Sequence, residues 1–103
     1  MKKFKIVYSQ KAVADREDLF NTIAYEFHAP QTAFKYVQGL IDTIDRLQFF
    51  PESFPIKPDS HSLMQYGPFV RTITFKKMTI IYTVHGDTVY IHRIVASSLL
   101  THL

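Results

Sequence analysis

The stretch from Phe69 to Leu103, FVRTITFKKMTIIYTVHGDTVYIHRIVASSLLTHL, constrains the fold more than any other part of the chain. It contains three runs rich in β-branched and aromatic residues, parted by two short turns. That pattern predicts three consecutive antiparallel strands. In the first run Val70, Thr72 and Thr74 share one face, while Phe69, Arg71, Ile73 and Phe75 share the other. Lys76-Lys77 forms the first turn, and Thr79 to Val84 is the middle strand. His85-Gly86-Asp87 forms the second turn, with Gly86 able to take positive φ. Val89 to Val95 is the last strand, and beyond it the pattern fades.

The residues ahead of this meander say what covers it. Lys3 to Tyr8 alternates as K-F-K-I-V-Y and predicts a first strand. Ser9 is placed to cap a helix, which runs from Gln10 to about Phe27. Its apolar stripe is Val13, Phe20, Ala24 and Phe27, widened by Ile23. Asp15, Glu17 and Asp18 lie early in it, where negative charge suits the helix dipole. Pro30 opens a second helix, with Ala33, Val37, Leu40, Ile44 and Leu47 as its stripe and Phe34 and Ile41 beside it. Gly39 in mid-helix costs about 1 kcal/mol against Ala and predicts close approach of another element. Residues 48–68 contain four of the five prolines. They predict an irregular crossing, pinned to the core by Phe49, Phe50, Phe54 and Ile56. The order is β-α-α-β-β-β, an α+β fold with a helical hairpin packed on one face of a small, mostly antiparallel sheet.

A chain of 103 residues makes one domain, residues 1–103. The 47% hydrophobic content, with nine Phe and six Tyr, supplies one core. Cysteine is absent, which points to a reducing cytoplasm and removes thiolate metal sites and a Cys nucleophile. The N-terminal MKKFKIVYSQKA has a basic start but no apolar run after it, and no stretch has the length of a membrane span. The expected location is the cytoplasm, without membrane contact. A formal charge of +3 permits a nucleic-acid or acidic protein partner and demands neither.

Few residues carry the pattern of a known chemistry. His28, His61, His85, His92 and His102 match no metal-ligand spacing, so no metal and no cofactor are predicted. The G-x-S-x-G elbow and both glycine-rich phosphate loops are absent. The acid pairs Glu17/Asp18 and Asp42/Asp45 read as solvated helix faces. The basic residues of the meander, Arg71, Lys76, Lys77 and Arg93, carry more information. Strand alternation can bring Arg71 and Arg93 to one open sheet face, with Tyr82, Tyr90 and His92 nearby. Such a face binds phosphate by charge and bases by stacking. The plainer reading stands beside it: a solvent-facing turn at Lys76-Lys77 and strand arginines paired with neighbouring acids.

Several local patterns, taken in order, resemble the ParE/RelE superfamily, the toxin halves of bacterial type II toxin–antitoxin pairs that include plasmid stabilisation proteins. They are KIVYS leading into QKAVADREDLFNTIA, then IDRLQFFPESFP at the second helix exit, V-R-T-I-T-F, and TIIYTVHGDTVYIHRIV. The resemblance covers nearly the whole chain, and no one of these patterns is specific alone. It implies a growth-inhibiting toxin neutralised by a cognate antitoxin that wraps around it. RelE-like members cut mRNA in the ribosome, and ParE-like members poison DNA gyrase. The RelE-like type carries an arginine on the middle strand, just before the apolar–apolar–Tyr run, and basic residues with a tyrosine after the last strand. Here those places hold Thr79 and Ala96-Ser97-Ser98-Leu99-Leu100. The His and Arg that many ParE-like members carry in their closing stretch are missing there too.

The resemblance therefore favours a ParE-like toxin that binds an essential target such as DNA gyrase, through Arg71, Lys76, Lys77, Tyr82 and Arg93, without chemistry of its own. One alternative is a RelE-like ribonuclease acting on ribosome-bound mRNA through Arg71, His92 and Arg93. Another is a non-toxic, decayed binding module on the same scaffold.

Overall fold

The first strand, β1 (Lys5–Tyr8), hands the chain to a helix at a single residue. The Ser9 hydroxyl accepts the Ala12 N–H at 3.0 Å as the N-cap of α1 (Gln10–Asn21), and donates to the carbonyl of His92 at 2.8 Å. A computed structural model describes residues 3–57 and 61–100 of the chain, residues 61 and 62 by their backbone. The helix α1 continues as a π turn over Thr22–Glu26, so helical structure reaches nearly to the expected Phe27. His28 then takes φ +51, and α2 (Pro30–Asp45) starts on its proline as predicted. Phe20 of α1 and Phe34 of α2 meet edge to face at 5.2 Å and clasp the two helices together.

Three further strands follow: β2 (Arg71–Phe75), β3 (Met78–His85) and β4 (Thr88–Ala96). The sheet order is β1-β4-β3-β2, with β1 parallel to β4 and the other pairs antiparallel. Gly86 takes φ +61 at the first central position of the β3–β4 turn, which suits a residue without Cβ. In the β2–β3 turn the positive φ, +51, falls on Lys76.

The main core lies between the helices and one sheet face. Leu40, Ile44 and Leu47 of the α2 side pack on Ile80, Tyr82, Val89, Ile91 and Ile94. At Gly39 the sheet comes close: a Cβ there would stand 2.7 Å from Cζ of Phe75. The expected close approach is therefore real, and its partner is an aromatic ring. A second, smaller cluster of Leu63, Val70 and Ile81, with Tyr66 and Val95 against it, covers part of the other face. Its Leu63 and Tyr66 come from a 3-10 turn over His61–Tyr66.

Some local expectations need correction. The acids Asp15, Glu17 and Asp18 lie beyond the first turn of α1, so they do not complement its dipole. Phe27 is 69% exposed rather than part of the stripe. Phe49 and Phe50 are also exposed, and the crossing is pinned instead by the fully buried Pro51 and by Phe54. An aromatic pair beside a proline looks like a core anchor in sequence. Here the ring that is buried is the proline.

Candidate functional site

The chemistry-bearing residues of the sheet are sorted by one irregularity. Along β4, Tyr90 faces Thr83 and Ile91 faces Tyr82, but Ile81 faces Arg93, so the bulge holds His92 as the extra residue. Before the bulge, Val89 and Ile91 point into the main core; after it, Ile94 does. The slip turns His92 and Arg93 together to the face that Ile81 and Thr83 share. Without it, Arg93 would follow Ile91 into the apolar core.

A polar and aromatic cluster results on that face. The His92 ring lies between Tyr66, at 4.9 Å, and Tyr90, at 5.2 Å. Its Nε2 is 2.7 Å from Oγ1 of Thr83, and Nε2 of His85 is 2.8 Å from the same oxygen. Burial, with the nearby His85, lowers the His92 pKa below the ordinary imidazole value. A shallow cavity of about 230 Å³ lies beside the cluster, lined in part by Tyr66, Arg93, Val95 and Leu99.

Arg71 and Arg93 are not neighbours in this arrangement. Arg71 pairs across the ladder with Tyr82, and Arg93 with Ile81. Ile81 and Tyr82 are consecutive, so the two arginines lie on opposite faces. The guanidinium of Arg71 donates to the carbonyl of Glu52 at 3.2 Å and to that of Phe54. Tyr82 is wholly buried and donates its hydroxyl to the Pro51 carbonyl at 2.6 Å, and burial pushes its pKa up to about 12. The pair Arg71 and Tyr82 thus holds the chain that leaves α2, and Tyr82 offers no ring for a base to stack on.

Arg93 reaches round the sheet edge to α1. Its Nε and Nη2 donate to the two oxygens of Asp15 at 2.7 and 3.0 Å. The same carboxylate accepts the Ile94 N–H at 2.8 Å. Because β1 ends at Tyr8, no strand among the described residues pairs with the edge of β4 beyond it, and Asp15 serves that edge in a strand's place. The Asp15 contact raises the Arg93 pKa. Lys76 sits in the turn with its ammonium 5.4 Å from the Tyr36 ring and 5.5 Å from that of Phe75. Lys77 is exposed, and its carbonyl accepts the Ser97 N–H at 2.8 Å. Thr79, at the middle-strand position, is bonded to the hydroxyl of Ser97 at 2.7 Å.

Sequence reasoning overlooked the role of Asp15, which no local pattern signals. It also overlooked His85 as the partner of His92. His28 is exposed, while the side chain of His61 and all of His102 fall outside the described residues. Among the described residues no three His, Asp or Glu side chains gather closely enough to share a metal ion, and no helix is long and apolar enough to cross a membrane.

Away from the sheet, the tip of the helical hairpin exposes Tyr25, Phe27 and Phe34, each more than two-thirds accessible. A groove of about 350 Å³ runs beside it, lined by Arg16, Glu17, Phe20, Asn21 and Val37.

A helical hairpin on a four-stranded, mostly antiparallel sheet, with the first strand parallel to the last, defines a RelE/ParE-like α+β scaffold. The family described as ParE toxin of type II toxin–antitoxin system, parDE, matches residues 6–98, and the chain belongs to it. The structure is similar to a solved one described as the chromosomal ParDE TA system from P. aeruginosa, with TM-score 0.76 and 22% identity over 93% of this chain and 98% of that one. The crystal structure of YafQ from E. coli strain BL21(DE3) has TM-score 0.48 and 15% identity, covering 96% of this chain and 99% of that one. Comparison with curated proteins gave no match. Membership makes the chain a type II toxin and implies a cognate antitoxin as its partner.

Proposed function

We propose that this toxin acts in the cytoplasm by binding an essential protein, with DNA gyrase the leading candidate, and that its antitoxin silences it by covering its surface. The observation that carries the reading is the engagement of both strand arginines within the fold. Arg71 is held by two backbone carbonyls and Arg93 by a carboxylate. A ribonuclease needs cationic groups aimed outward at developing phosphorane charge. Thr79 stands where such an arginine would be, and it is bonded to Ser97. The exposed aromatic tip of the hairpin supports action through contact, since large accessible rings are what protein interfaces anchor on.

The test is expression of the chain alone from a tight promoter, with viable counts, plasmid topology and transcript integrity followed together. Growth arrest with altered supercoiling and intact mRNA is the expected result. Arrest with rapid loss of translated mRNA would overturn it. That outcome is the second reading, a ribonuclease, favoured by the His92–Tyr66–Tyr90 cluster on the open face. Undisturbed growth at confirmed expression would leave the decayed binding module.

A further inference from the structure

The target-binding reading makes no use of His85 and His92. His85 closes β3, and His92 is the bulge residue of β4. Linear spacing gives no hint that they meet. In the fold both Nε2 atoms stand within hydrogen-bond reach of one oxygen, Oγ1 of Thr83, at 2.8 and 2.7 Å. A threonine hydroxyl has a single proton, so it can donate to only one of the two rings. The other ring must be the tautomer that donates to it. Two imidazole nitrogens aimed at one point, one of them poised as an acceptor, form the start of a chelate.

We propose that His85 and His92 bind one late first-row divalent cation, of the Ni²⁺, Cu²⁺ or Zn²⁺ class, through their Nε2 atoms. Neutral imidazole is the ligand these ions prefer among the groups present. The two rings differ in a useful way. His92 is fixed between the Tyr66 and Tyr90 rings and is only partly accessible. His85 is exposed at the strand end and can rotate to bring its nitrogen about 2.0–2.1 Å from the ion. The buried Thr83 hydroxyl oxygen, on which both nitrogens converge, then stands against the ion as a weak third ligand. Among the described residues no third His, Asp or Glu joins the pair, so water fills the remaining positions. Affinity is therefore modest, and the ion keeps open sites.

The test is titration of untagged, full-length protein with NiCl₂ and with ZnCl₂ by calorimetry, together with thermal unfolding at each metal concentration. The expected result is one ion per chain and a thermal midpoint that rises with metal concentration. Binding should fall at least tenfold in His85→Ala, which removes an exposed side chain, and equally in His92→Gln. Absence of binding by the wild type would overturn the proposal. So would binding that survives His85→Ala at full strength, which would place the ion on other histidines.

Discussion

Replacing Asp15 should cost more than replacing the arginine it pairs with, and the difference follows from the number of partners each has. Arg93 gives two hydrogen bonds to Asp15, and its side chain is 33% exposed, so water can take them over. Losing such a pair costs about 1 kcal/mol. Arg93→Ala adds the loss of a neighbour for a carboxylate that is only 15% exposed, giving about 1–2 kcal/mol in all. Asp15→Ala removes the same pair and also orphans the Ile94 N–H, in a residue that is 2% exposed. An unsatisfied buried donor adds about 1–3 kcal/mol, for a total of about 2–4. Asp15→Asn should fall between them, because its amide oxygen can still accept from Ile94. Urea unfolding followed by far-UV circular dichroism measures all three, with a constant slope confirming that only stability has changed. Equal damage from Arg93→Ala and Asp15→Ala, or from Asp15→Asn and Asp15→Ala, would refute a role for Asp15 as acceptor of the Ile94 N–H.

Other outcomes follow from single contacts. Gly39→Ala should destabilise the protein by about 1–2 kcal/mol through its clash with the Phe75 ring, yet stabilise a Phe75→Leu background by up to about 1 kcal/mol; the same sign in both backgrounds, by chemical denaturation, would refute the clash. The Tyr82 pKa is raised from 10.0 to about 12, so the fold favours its neutral form, and that contribution is full below pH 10 and lost as pH climbs toward 12. Tyr82→Phe should cost about 1 kcal/mol at pH 8 and show a shallower loss of stability between pH 10 and pH 12 than the wild type; parallel curves would contradict it. Arg71→Ala should free the chain around Glu52 and Phe54, speeding limited proteolysis there, and Arg71→Lys should restore little because an ammonium lacks the planar fork.

What could be read in advance was whatever repeats with a period. The strands of the meander and the stripe of α2 emerge within a residue or two of their bounds, because alternation and helical spacing are local properties of sequence. The sorting of functional groups could not be read the same way. Strict alternation puts Arg93 in phase with Ile91, and only the bulge at His92 reverses it. One signal exists: Ile91 and Ile94 are both apolar and three apart, and a regular strand cannot send both to the core face where the structure buries them. The link between Asp15 and Arg93 joins residues 78 positions apart and leaves no trace in either neighbourhood. Pro51 displaces Phe49 and Phe50 as the anchor for a similar reason, since its place is set by the Tyr82 hydroxyl on a distant strand.

The parallel pairing of β1 with β4 has a kinetic consequence. The β3–β4 hairpin closes over a two-residue turn, whereas Lys5 must find Thr88 and Tyr8 must find Ile91 across almost the full length of the chain. Closing that loop is an entropic cost met only once a template exists to reward it. The hairpin is therefore the template and the four-residue β1 the late arrival. Under native conditions the same order should run in reverse. The amide of Lys5, bonded to the Asp87 carbonyl, should exchange with solvent through smaller openings than those of Ile80 or Ile91 at the sheet centre. The toxin would then have a seam along its first strand that loosens while the rest of the sheet stays shut.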